Sequence, residues 1–144
     1  MNPEDKAAKN PDVEPVLYVL MRTDLPDYVP GKSMAQSNHA GTKFCIDVGR
    51  KAPDNQILTH LFKEWTDQSG DGFGTCVVLG VTRKQMHYVL CLADIIGLWA
   101  GMVHDPSYPI VDGDLVNHMP VDTCGYVFGR KHECARILRD LSLF

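Results

Sequence analysis

Continuous apolar runs alternate along this chain with stretches whose apolar residues recur at helical spacing. Val16-Leu17-Tyr18-Val19-Leu20-Met21 is unbroken and rich in β-branched and aromatic residues, the pattern of a strand buried on both faces. Arg22-Thr23-Asp24-Leu25 leaves that strand, and Pro26, Pro30 and Gly31 enforce a loop. Lys32 to about Arg50 reads as a helix whose first half is rich in small residues, which lets it lie close against a sheet. Ala52-Pro53-Asp54 breaks the chain. Asp54 then serves as the expected N-cap of a second helix to about Asp67, with Ile57, Leu58, Leu61, Phe62 and Trp65 at helical spacing. After a glycine-rich connector at 69–74, Thr75 to Val81 is a second buried strand. Thr82 caps a third helix to about Ile96, with Met86, Val89, Leu90, Ala93 and Ile96 on one face, and Gly97 stops it. Leu98 to His104 is a third strand and Val121 to Phe128 a fourth. Between them, Asp105 to Pro120 shows no period and reads as a long irregular loop, a length that usually carries function. Gly129 turns the chain into a last helix, Lys131 to about Leu141, using Cys134, Ile137, Leu138 and Leu141.

The order β-α-α-β-α-β-β-α sets the fold class. Helical crossovers join parallel strands, with right-handed connections. The third and fourth strands lack a helix between them, so one of the pair runs antiparallel. The expected architecture is α/β: a three-layer α/β/α arrangement around a four-stranded mixed sheet with one antiparallel strand. At 144 residues there is room for one domain, taken as 16–144, behind a polar leader at 1–15 that is expected to be disordered.

Composition adds limits. A hydrophobic fraction of 44% supports a packed interior, and no apolar run approaches the roughly 20 residues a membrane span needs. The leader lacks the apolar core of a signal peptide, so a cytoplasmic location is expected. Five cysteines without C-x-x-C spacing argue against a disulfide framework or a zinc site; buried free thiols in a reducing compartment are the expectation. The net charge of -4 is a poor global signature for a nucleic-acid binder, so any RNA contact needs a local basic patch. Candidates for that patch are Arg22, Lys32, Lys43, Arg50, Lys51, Arg83, Lys84, Arg130 and Lys131.

Ligands of open α/β sheets bind outside the carboxyl ends of the strands. Arg22, Asp24 and Lys32 follow the first strand; His104, Asp105, Ser107 and Tyr108 follow the third. These two loops are expected to share a rim. A cation at a helix start opposes the helix dipole, which marks Lys32 for a role beyond solubility. Asp105 reads equally as the cap of a turn before Pro106. His104, Asp112, Asp114 and His118 lack metal-ligand spacing, and Trp65 and Trp99 read as core. No glycine-rich phosphate loop or Gly-x-Ser-x-Gly elbow is present, which disfavours nucleotide binders and serine hydrolases.

Leu20-Met21-Arg22-Thr23-Asp24-Leu25, followed by Pro30-Gly31-Lys32-Ser33-Met34-Ala35-Gln36-Ser37-Asn38-His39-Ala40, resembles the signature of the type 2 (archaeal/eukaryotic) peptidyl-tRNA hydrolases. That signature is an Arg-x-Asp-Leu strand exit, a Gly-Lys helix start and Ala-Gln-x-x-His-Ala. The resemblance continues more weakly through Cys76 to Gly80, Gly97 to Asp105 and the ending Ile137 to Phe144, and so covers nearly everything after the leader. The Asp122-Thr123-Cys124 strand is similar to a divergent branch. The resemblance implies an α/β fold of the kind read above, hydrolysis of the ester between peptide and tRNA, and no cofactor or metal. It implies tRNA, through the acceptor end of peptidyl-tRNA, as partner, with no membrane. A homodimer is common among small α/β proteins.

Carried over residue by residue, the implied catalytic positions are Lys32, Asp105 and Thr123. Asp105 would deprotonate or orient water, Lys32 would stabilise negative charge or bind phosphate, and Thr123 would hold water or the terminal ribose. Arg22, Asp24, Gln36, His39, Ser107 and Tyr108 are the implied substrate-binding positions. From their surroundings, His39 also reads as a hydrogen-bonded structural histidine, and Gln36 as either packing or rim. A family threonine falls on Pro109, so Ser107 or Tyr108 would have to supply that hydroxyl. The departure leaves an alternative: a catalytically impaired member that binds tRNA or a protein.

Overall fold

Pro15–Arg22 forms β1, buried along nearly its whole length, as an unbroken apolar run requires when both faces are covered. The structure, a computed structural model, describes residues 10–144. α1 spans Pro30–Lys51, α2 Gln56–Thr66, β2 Cys76–Val81 and α3 Arg83–Ile95. β3 spans Trp99–Asp112, β4 Leu115–Arg130 and α4 Lys131–Leu138. The strand order is β2-β1-β4-β3. β1 and β2 are parallel, and β4 runs antiparallel to both β1 and β3. The sheet is therefore mixed, and β4 is its one reversed strand.

Alternation along β4 builds two cores. Tyr126 and Phe128 join Phe44 and Val48 of α1, and Leu58, Leu61 and Trp65 of α2. Val127 faces the other way, against Met86, Val89 and Ala93 of α3, and Cys134 and Leu138 of α4. Helices thus cover both faces, giving the three layers.

Capping explains the helix ends. Thr82 and Gln85 form a reciprocal capping box on α3, and Gly97, at φ 79°, takes the left-handed turn past its end. α1 starts two residues before Lys32, with proline in its first turn and no side-chain cap. The cap of α2 is Asn55, not Asp54: the Asn55 side chain accepts from the Leu58 N–H, while Asp54 ends a short 3-10 turn. α4 closes at Leu138, before Leu141, because the tail bends away. Ser142 O accepts from the Gly80 N–H, and the Phe144 N–H donates to Val78 O, so the tail lies along the outer edge of β2.

Three expectations change. The stretch 105–120 is not an irregular loop; β3 and β4 continue through it as a hairpin. Asp112 pairs with Leu115 across Gly113-Asp114, with Gly113 at φ 61°, the conformation a two-residue hairpin turn demands. Residues 111–120 are all exposed, so neither face is buried and no one-sided alternation marks the arms. Pro106 and Pro109 are tolerated because β3 is an edge strand with register breaks at Val103/His104 and Asp105/Tyr108. Secondly, only Cys124 and Cys134 are buried; Cys45, Cys76 and Cys91 are exposed, and all five are free. Thirdly, part of the leader is structured. Pro11–Val13 forms a 3-10 turn, with Val13 O accepting from Arg130. Residues 1–9, the rest of the expected leader, lie outside the described residues. Among the described residues no helix is long and apolar enough to cross a membrane.

Candidate active site

The carboxyl ends of β1, β2 and the first half of β3 meet the amino ends of α1 and α3 at one rim. The loops after β1 and within the β3–β4 hairpin are neighbours there, as expected. Lys32, in the first turn of α1, donates from Nζ to Pro109 O at 2.8 Å and lies 5.2 Å from the centre of the Tyr108 ring. One helical turn on, Gln36 joins three elements. Its Nε2 donates to Asp105 Oδ2 at 2.7 Å, and its Oε1 accepts from Thr123 Oγ1 at 2.5 Å. The Ser107 N–H donates to the other Asp105 oxygen at 2.9 Å. Cys124 Sγ donates to Gln36 O at 3.1 Å, and burial pushes that thiol up to about 11. Among the described residues no buried side-chain polar atom lacks a partner.

This network sorts the predicted residues by depth. Asp105 and Lys32 are half-buried and face the rim. Thr123 is fully buried, so its hydroxyl positions Gln36 and does not hold a water or a ribose, a correction to the direct role expected for it. Tyr108 is likewise buried beneath Lys32, which removes it as a surface contact or as a replacement hydroxyl. Burial and the charges of Asp27 and Asp105 raise its phenol, partly opposed by Arg22. Ser107 is exposed, and its hydroxyl lies 3.1 Å from His118 Nδ1. Gln36 is buried and its side chain reaches the rim, resolving its two readings into one. His39 is exposed and makes no side-chain hydrogen bond among the described residues, so it is not the hydrogen-bonded structural histidine its small neighbours suggested.

Arg22 and Asp24 tie the frame. Arg22 is buried; its Nε donates to Asp24 Oδ1 at 2.8 Å, and its Nη1 to Asp122 O at 2.9 Å. Asp24 Oδ2 accepts from the Arg83 N–H at the start of α3. Burial pushes the Asp24 carboxyl up, but the bonds from Arg22 and Arg83 and the Arg22 charge outweigh it and hold it below the ordinary range. The bonded atoms of both residues join β1 to β4 and α3, which gives each a structural role beside the substrate contact expected of it. Of the cations suggested for RNA, Lys43, Arg130 and Lys131 are paired with Asp47, Glu64 and Asp12. Arg83 and Lys84 stand exposed beside the rim.

Sequence reasoning missed a second cluster. Asp122 faces away from Thr123, as adjacent strand residues must. Its carboxylate lies 2.7 Å from His104 Nδ1 and 3.3 Å from His87 Nε2. It borders a cleft of about 320 Å³ lined by Arg22, Pro26, Arg83, His104 and Ile110. His104 was singled out, but nothing in the sequence brings His87 to it. Among the described residues no group of His, Cys, Asp and Glu is arranged to hold a metal. The hydrogen bond from His104 lowers the Asp122 carboxyl; burial opposes it, and the charges of His104, His87 and Arg83 lower it further. A depressed folded value means that this stability is complete above the ordinary aspartate value near 3.9 and is lost as pH falls through the folded value below it. Unfolding free energies of the protein and Asp122→Asn, measured from about pH 2.5 to 6, are expected to differ at the upper end and converge at the lower. Curves separated by a constant amount would refute the linkage.

No family model and no curated protein matches the chain.

Proposed function

We propose that this protein hydrolyses the ester between peptide and tRNA in peptidyl-tRNA, acting in the cytoplasm without a cofactor. The observation that carries the reading is the bridge made by Gln36. It ties the Asp105 carboxylate to Thr123, one turn from Lys32, so the pieces of the resemblance from α1, β3 and β4 form one hydrogen-bonded unit. The fold and the positions that resemble peptidyl-tRNA hydrolases support it as well.

The chemistry follows from the groups. Each Asp105 oxygen accepts one protein hydrogen bond, and a carboxylate has about four acceptor sites, so capacity remains for a water. Asp105 takes the proton as that water attacks the ester carbonyl. The Lys32 ammonium directs one donor to Pro109 O and has two left for the oxyanion or a nearby phosphate. The proton then passes to the leaving ribose hydroxyl. Arg83 and Lys84 supply positive charge for the acceptor stem.

The test is acyl release from peptidyl-tRNA and from aminoacyl-tRNA by the purified protein. Release from the first and not the second is expected, with Lys32→Ala slower by about 10²-fold, the range for loss of one oxyanion donor. Full turnover by Lys32→Ala removes the assignment. A second reading, tRNA binding without turnover, is favoured by the carbonyl of Pro109 occupying Lys32 where the resemblance calls for a hydroxyl; binding without release is its signature.

A further inference from the structure

The sheet protects its exposed edges unequally. The outer edge of β2 is covered by the chain's own tail, through the bonds of Gly80 to Ser142 and of Phe144 to Val78. The far half of β3 carries Pro106, Pro109 and two register breaks, features that discourage strand pairing. Residues 99–103 of the same strand have none of these. They pair with β4 on one side, and among the described residues no strand pairs with them on the other. Every second residue there turns its N–H and C=O outward.

This bare edge lies in a groove of about 500 Å³ between the helical layers, with Lys51 from α1 and His87, Leu90 and Asp94 from α3 on its walls. Leu98, Trp99, Ala100, Gly101 and Met102 form its floor. The rim charges are of both signs, which suits a neutral peptide backbone and not a phosphate chain. β3 then runs directly into Asp105.

We infer that the groove binds the peptide of peptidyl-tRNA as a fifth strand, parallel to β3, so that its esterified carboxyl end arrives at Asp105. The assignment rests on the hydrolase reading and extends it to the acyl half of the substrate. Five residues of strand cover about 17 Å, which sets the length of peptide engaged at about five. Recognition through backbone groups would let unrelated peptide sequences bind, since main-chain bonds give affinity and only alternate side chains meet the walls.

Two measurements test it with the full chain. The first compares acyl release from tRNA carrying one N-acetylated residue, an N-acetylated pentapeptide, or that pentapeptide N-methylated at one or the other alternate set of amides. Specific activity is expected to rise about 30- to 150-fold from one residue to five, from two or three added backbone bonds of about 1 kcal/mol each. One N-methylation pattern abolishes the gain, because its methyls face β3, and the other leaves it. Release that ignores length and both patterns overturns the inference. The second is an NMR titration with the N-acetyl pentapeptide amide Val-Ser-Val-Ser-Val and its two N-methylated forms. Shifts at 99–103, lost with one form only, support the groove. No shifts, or shifts confined to the open arm at 115–120, overturn it. If no peptidyl-tRNA is hydrolysed, the hydrolase reading has failed, and the titration alone decides whether the groove binds peptide.

Discussion

Changing Asp105 to Asn is expected to slow acyl release from peptidyl-tRNA by about 10²- to 10⁴-fold, the range for loss of a general base. The side chain keeps its shape and can still accept from Gln36 through its amide oxygen. What it loses is the ability to take a proton from water. The expected signature is therefore a fall in kcat with little change in KM, since binding of tRNA does not use this carboxylate. Stability is expected to fall by about 1 kcal/mol, because the residue is half-buried and only the exposed Ser107 N–H loses its acceptor. A variant with normal kcat would place the base elsewhere, and the His104–Asp122 pair on the other side of β4 would be the next group to examine.

Phe44→Ala is expected to cost about 3–5 kcal/mol of stability. Phe44 is fully buried on α1 and stands at the centre of an aromatic cluster. Its ring centroid lies 4.6 Å from that of Phe128, 5.4 Å from Tyr126, 5.5 Å from Trp65 and 5.7 Å from Phe62. The edge-on and tilted contacts suit the ring quadrupoles, and truncation leaves a cavity that α2 and β4 would have to move to fill. A domain of this size is stable by about 5–15 kcal/mol, so the loss is a large share of the whole. Chemical denaturation measures it; a shift below about 1 kcal/mol would show that the cluster repacks freely.

The parts of the fold that were legible in the sequence are those where burial imposes a pattern. Val16 to Met21 announced β1 because both of its faces are covered, and Thr82 and Gly97 marked the ends of α3 because caps need those residue types. That one of β3 and β4 is reversed followed from the absence of a helix between them; the structure shows that it is β4. The hairpin arms were illegible because Tyr108 is their one buried residue and 111–120 bury neither face. Their one local sign was Gly113-Asp114 between Val111 and Leu115, a two-residue turn signal obscured by two prolines nearby. In the site, the sequence supplied Lys32, Gln36 and Asp105 but not their depth. Thr123 and Asp122 are adjacent, yet one serves α1 from inside the sheet and the other meets His87 on the opposite side. Arg22 looked like a ligand for phosphate, and only its partners show that its charge is already committed.

The bridge through Gln36 has a direction. The Asp105 carboxylate can only accept, so it takes the amide nitrogen, and the buried Thr123 hydroxyl gives its proton to the amide oxygen. Turned the other way, the amide would set a carbonyl against a carboxylate. The charge at the rim thus fixes the orientation, and the interior holds it with a matching donor. A serine at position 123 keeps that inner donor, whereas valine keeps only volume and leaves the amide oxygen buried without a partner.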